Sequence, residues 1–236
     1  MAALSTTVHA SNTLRVLAGL LSYPDAETRR HLDEMRDTLH AERALAPGRL
    51  AELDTLIDSL SGADALEAEA GYVQLFDRGR ATSLHLFEHV HGDSRDRGPA
   101  MIDLAQTYEK GGLFLAPGEL PDYLPVVLEF VSTQPPAEAK AFLGEMAHIY
   151  NAIYGALQQR GSAYASVLGA LLELAGETVQ PIKPAAEEAL DESWAEPVVF
   201  DGCSSKGQTQ PGQAQPIHVM RAAKAPSANP SSGVVA

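Results

Sequence analysis

The stretch "PAEAKAFLGEMAHIYNAIYGALQQR", residues 136–160, decides the fold class. Phe142, Met146, Ile149, Tyr150, Ile153 and Leu157 recur at i, i+3/i+4 spacing, the period of an amphipathic helix. Arg160 and Gly161 supply the basic last turn and the glycine that commonly close one. A single helix over 136–160 is the expectation. The next segment, "SAYASVLGALLELAG" at 162–176, is apolar on most sides and so belongs at the centre of the fold.

The same period runs backward along the chain. Leu14, Leu17, Ala18 and Leu21 form a stripe behind Ser11 and Asn12, either of which can cap the helix start. His31, Leu32, Met35 and Leu39 mark a second helix. Leu50, Leu53, Leu56, Ile57 and Leu60 mark a third, with Pro47 just inside its start. A fourth over 63–76 carries Leu66, Ala70, Val73 and Phe76. Another near 96–110 places Met101, Leu104, Ala105 and Tyr108 on one side. No alternating strand pattern and no Asn-Gly hairpin signal occurs. The reading is an all-α single-domain bundle of about eight or nine helices. It divides as a helical domain over 1–176, an acidic proline-containing strap over 177–200 and a disordered Gly/Ser/Pro/Gln tail over 201–236.

Charge limits the partners. Residues 1–196 carry 14 Lys and Arg against 30 Asp and Glu, whereas residues 197–236 carry 3 against 1. A body this acidic repels nucleic acid and anionic membranes and favours basic partners. The single cysteine, Cys203, allows neither an intramolecular disulfide nor a CxxC metal site. With no signal peptide and no apolar run long enough to span a bilayer, the chain reads as a cytoplasmic, non-integral protein.

Three stretches invite chemistry. "HLFEH", His85 to His89, spells H-x-x-E-H, which on a helix gives two zinc ligands and a general base, a zinc-dependent hydrolase built on His85, Glu88 and His89. A catalytic zinc needs a third protein ligand, and none announces itself. The plainer reading is a helix face whose imidazoles bond neighbouring carboxylates. Arg78, Arg80, Arg95 and Arg97 flank this helix and can hold a phosphate. They alternate with Asp77, Asp93 and Asp96, which can equally neutralise them. In "GELPDYLPVVLEF", 118–130, Asp122 can cap a helix whose first turn holds Pro125, and Glu119 adds charge at that entry. No P-loop and no nucleophile-base pairing is present. A di-iron reading fails because E-x-x-H occurs only at Glu145–His148. No cofactor is expected.

"YVQLFDRGRATSLHLFEHVHGDSRDRGPAMIDL" (72–104), "GELPDYLPVVLEF" and "DESWAEPVVF" together resemble the nitrate reductase molybdenum cofactor assembly chaperones, the NarJ type within the wider redox-enzyme maturation chaperones. The likeness covers roughly residues 11–200. It implies a non-catalytic protein that binds the apo catalytic α subunit of respiratory nitrate reductase, including its N-terminal segment, until the molybdenum cofactor is inserted. It leaves room for cofactor-delivery proteins as further partners. Elements connected with peptide binding in the wider family match Tyr72, Leu75 and Phe76, and Glu119, Pro121 and Asp122. Tyr123 stands where other branches carry histidine. With His85, Glu88 and His89 these are the candidate client-contact residues. The physical expectation is a basic, apolar client segment lying as a helix in a groove, held by apolar contacts and registered by acidic residues.

Overall fold

Two helices have almost no polar face, and the others assemble around them in the computed structural model, which describes residues 10–92 and 94–180. In α8, Leu124–Ser132, every residue except Glu129 is buried. In α11, Ala165–Ala175, nine residues are buried, including Val167, Leu168, Leu171 and Leu172. Nothing but another apolar face can cover such helices. The helix α1, Ser11–Leu21, packs on α8, while α4, Pro47–Gly62, α9, Pro136–Glu145, and α10, Ala147–Gln159, pack on α11. The helix α3, Leu32–Glu42, bridges α1 and α4. The remaining helices are α2, Ala26–Arg30, α5, Ala65–Phe76, α6, Leu86–Val90, and α7, Arg97–Lys110, with a 3-10 turn at Arg80–Thr82. All described residues fall within one unit, Met1–Glu187. Among them no strand forms, and the one extended pairing is an isolated bridge between His85 and Tyr123. The fold is all-α.

Among the described residues eleven α-helices replace the eight or nine expected, because two expected helices are each broken once. The 136–160 helix stops at Met146, whose backbone (φ −97°, ψ 1°) closes α9 and opens α10. Both halves pack on α11. A straight helix of that length would run about 37 Å against about 16 Å for α11, so one rod could not keep both halves in contact. The second break falls at His31, between α2 and α3. Of the 177–200 strap only 177–180 is described, and the 201–236 tail lies outside the described residues. Gly176, in the left-handed region at φ 80°, ends α11, and the Glu177 N–H returns to the Leu172 carbonyl at 2.9 Å.

Helix starts are served in two ways. Asp25 caps α2 through the Glu27 and Thr28 amides, and Asp64 caps α5 through Leu66, as short-range rules expect. Neither Ser11 nor Asn12 caps α1. Ser11 is its first residue and its hydroxyl donates to the Ser132 carbonyl, tying α1 to α8. The open amides of Asn12 and Thr13 donate instead to the Glu42 carboxylate, at 3.1 and 2.5 Å, from the far end of α3. The Glu173 carboxylate of α11 likewise accepts the Ala46 amide at 2.6 Å, at the entry to α4. Arg49 of α4 pairs with the same Glu173 and lies across Gly169, where a Cβ would collide with the guanidinium.

Glu42→Ala should lower stability by roughly 1 kcal/mol, a few degrees in Tm, with Glu42→Gln intermediate. Thermal unfolding of the two variants checks this. Equal Tm values for wild type and Glu42→Ala would show that the cap contributes nothing.

Candidate functional site

Segments 83–91 and 119–124 lie side by side. The Leu86 amide donates to the Asp122 carbonyl at 3.0 Å, and the Leu124 amide to the Leu84 carbonyl at 2.9 Å. His85, at φ −86° and ψ 102°, is therefore extended, and α6 begins only at Leu86. This corrects the expectation that His85 and His89 share a helical face. The imidazoles diverge: His85 turns to Asp122, whereas His89 Nε2 donates to the Ser83 carbonyl at 2.9 Å. Glu88 takes a third direction, with its carboxylate 3.6 Å from Arg97. Among the described residues no three His, Cys, Asp or Glu side chains gather as a metal-ligand set.

Asp122 is the hub. Its side chain has no solvent exposure, and its oxygens meet the Phe87 amide at 3.2 Å, His85 Nδ1 at 3.4 Å and Arg97 Nη2 at 3.5 Å. The carboxylate thus serves the start of α6, whereas α8 begins behind Tyr123 with no side-chain cap, contrary to the expectation from sequence. Removal from water is offset by one amide, one imidazole and one guanidinium, the kind of satisfaction a buried charge requires. The hydrogen bond to Asp122 raises the His85 pKa above the ordinary histidine value. Partial burial works against it, and the charges of Asp122 and Glu88 reinforce it against that of Arg97.

The second cluster is aromatic. The His85 ring lies 5.4 Å from Tyr123. The Tyr72 hydroxyl donates to the Leu21 carbonyl at 2.7 Å and lies 3.1 Å from the Tyr123 hydroxyl. Having spent its single proton on Leu21, Tyr72 accepts from Tyr123. Burial pushes the Tyr72 hydroxyl well above its usual pKa, so it stays protonated. Phe76 packs on Tyr72 at 4.8 Å and on Tyr164 at 5.1 Å. The Leu75 carbonyl, at the end of α5, accepts from the Thr82 hydroxyl and, at 3.5 Å, from Arg160.

The sequence candidates therefore separate. His85, Glu88, Asp122, Tyr123, Tyr72 and Phe76 form one chain of contacts, while His89 is held by the Ser83 carbonyl and Leu75 packs on the core with its carbonyl bound by Thr82 and Arg160. Pro121 is buried, and its carbonyl accepts the Tyr108 hydroxyl at 2.7 Å. Glu119 is exposed and closes its own turn by accepting the Ala116 amide at 2.7 Å. Sequence reasoning missed the Arg97–Asp122 contact. Arg97 was set among neighbouring aspartates, and only the need of a buried aspartate for a cation could have singled it out.

Residues 25–168 match the family described as nitrate reductase delta subunit. The chain belongs to that family. It is 44% identical to the nitrate reductase molybdenum cofactor assembly chaperone NarJ of Escherichia coli K12 over 76% of this chain and 78% of that protein. It is 34% identical to the nitrate reductase-like protein NarX of Mycobacterium tuberculosis over 70% of this chain and 25% of that protein. The crystal structure of an Archaeoglobus fulgidus protein described as a redox enzyme maturation protein superposes with a TM-score of 0.50 at 20% identity. It covers 72% of this chain and 95% of that one. These matches identify a NarJ-type member of the nitrate reductase delta subunit family with the maturation-protein fold. No helix among the described residues is long and apolar enough to cross a membrane.

Because the folded state raises the His85 pKa, its protonated form stabilises the fold. That contribution is full below about pH 6.5, the ordinary histidine value, and is lost as pH rises through the higher folded value. Denaturant unfolding should therefore find His85→Ala more destabilising at about pH 5.5 than at about pH 8.5; an equal difference at both would discount the Asp122 contact. Asp122→Ala should cost roughly 3 kcal/mol, since it leaves Arg97 without its buried partner, and Asp122→Asn less, since it keeps an acceptor for Phe87. Urea titration should return that order.

Proposed function

We propose that this protein is a non-catalytic chaperone that binds the cofactor-free catalytic α subunit of a respiratory nitrate reductase, including its N-terminal segment, in the cytoplasm. It holds that subunit competent for molybdenum cofactor insertion and complex assembly, then leaves. The observation that carries this reading is the 44% identity to the E. coli assembly chaperone over three quarters of both chains. The site is consistent with it. Its ionisable groups are committed to holding segments 83–91 and 119–124 together, and the zinc-hydrolase alternative is disfavoured because His85, Glu88 and His89 point to three different partners. The candidate contact residues divide accordingly. Glu119 and the partly exposed His85, Glu88, His89, Leu75 and Tyr123 are placed to touch a client, while Tyr72, Phe76, Pro121 and Asp122 would act by shaping the surface from within.

Acidity sets the expected chemistry of the client segment, basic and apolar, so attraction should weaken with salt. The test is a pull-down with the tagged chain from cells growing on nitrate. Co-purification of the nitrate reductase α subunit, lost after cofactor loading, is the expected result; its absence would remove the proposal. With the purified pair, Kd should weaken several-fold between about 50 and about 500 mM salt, as the Debye length falls from about 14 to about 4 Å.

A further inference from the structure

The turn between α10 and α11 ends on Tyr164, whose ring is buried against the aromatic side chains of α5. It meets Phe76 edge-on, with centroids 5.1 Å apart and planes at 86°, and Tyr72 at 6.2 Å and 71°. Only 8% of the residue is exposed, and its hydroxyl oxygen has no hydrogen-bond partner among the described residues. Three other buried side-chain atoms there lack a hydrogen bond, and each has a physical account. Arg36 Nε and Arg49 Nε face carboxylates at 3.5 and 3.7 Å. Thr13 lies in a helix, where the customary acceptor is the i−4 carbonyl, here at residue 9, outside the described residues. No such account covers Tyr164.

The hydroxyl is at odds with its surroundings. A polar group taken from water without a partner is unfavourable, and phenylalanine would fill nearly the same volume without that loss. The other buried tyrosines all direct their protons to an acceptor: Tyr72 to the Leu21 carbonyl, Tyr108 to the Pro121 carbonyl and Tyr150 to the Met146 sulfur. Burial pushes the Tyr164 hydroxyl well above its ordinary pKa, so it keeps its proton and stays a donor. A neutral donor in a dry ring cluster suits a neutral acceptor, since a charged one would lose its hydration there.

We infer that Tyr164 is a client-binding residue, its hydroxyl held for a backbone carbonyl of the client segment. This rests on the proposed client-binding role and deepens it by one residue and one bond. The cluster is continuous with the surface assigned to the client: Tyr164 packs on Tyr72, Tyr72 meets the Tyr123 hydroxyl at 3.1 Å, and Tyr123 packs on the partly exposed His85. A helix lying in a groove supplies the acceptor, because its last turn carries carbonyls with no intrahelical donor. The hydroxyl is covered in the unbound chain, so the contact forms when the entering segment shifts a ring. Phe76 is the ring whose displacement breaks no side-chain hydrogen bond, whereas Tyr72 is tied to Leu21.

The test is Tyr164→Phe in the full chain, read by thermal unfolding and by calorimetric titration with the cofactor-free α subunit. The variant keeps the ring and removes only the oxygen, so Tm should be unchanged or higher. Binding should weaken about fivefold, the loss of one neutral hydrogen bond, and by the same factor at about 50 and about 500 mM salt. Wild-type affinity in the variant overturns the inference and leaves the client role standing. A lowered Tm overturns it as well, since the hydroxyl would then already serve the fold, for instance through an ordered water. A loss of affinity that disappears at high salt assigns the effect to charge and overturns the carbonyl contact. No binding by the wild type overturns both readings.

Discussion

A carboxylate with no access to water sits where two stretches of chain 35 residues apart meet. Desolvating Asp122 is unfavourable by several kcal/mol unless its lone pairs are filled, so its surroundings are constrained more tightly than those of any apolar neighbour. The Phe87 amide must point inward, which fixes the first turn of α6. Arg97 must reach it, which fixes the start of α7. His85 must lie alongside, which brings its ring against Tyr123 and, through Tyr123, against Tyr72 of α5. Segment 119–124, α5, α6 and α7 are thereby held in register through one charge.

That hub divides the molecule into two kinds of order. The α1, α8, α11 and α10 core is held by apolar burial, which is non-directional and tolerant of small shifts. The 72–124 block is held by directed contacts among ionisable and aromatic groups, each with a partner chosen by geometry. The family resemblance was carried largely by that second block. Its residues look like chemistry because directed contacts draw on the same side chains as catalysis: histidine, glutamate, aspartate, tyrosine and arginine. Here several of them hold one another in place.

The helices were legible because their apolar period is local. Residues 162–176 were read as central and are. Local caps follow nearest-neighbour rules, as at Asp25 and Asp64. What could not be read were carboxylates delivered across the fold: Glu42 to α1, Glu173 to the entry of α4, Asp122 to α6. Each lies more than two dozen residues from the amides it serves, and nothing in an isolated window marks it. The break at Met146 escaped for the same reason, since the length of α11 rather than local propensity sets where α9 and α10 must turn. The helix expected over 63–76 forms as α5, with Phe76 buried and Leu66 exposed, because periodicity locates an apolar face without saying what covers it.

The Glu42 contact bears on the order in which this chain can be completed during synthesis. The first helix emerges with its leading amides unserved, and eleven residues are too few to hold a helix alone in water. Its cap arrives about thirty residues later, and α8, the helix it packs against, about eighty residues after that. The opening helix therefore stays unfinished on the ribosome until most of the chain has been made. A protein proposed to wait beside another's incomplete subunit passes through the same condition in its own first moments.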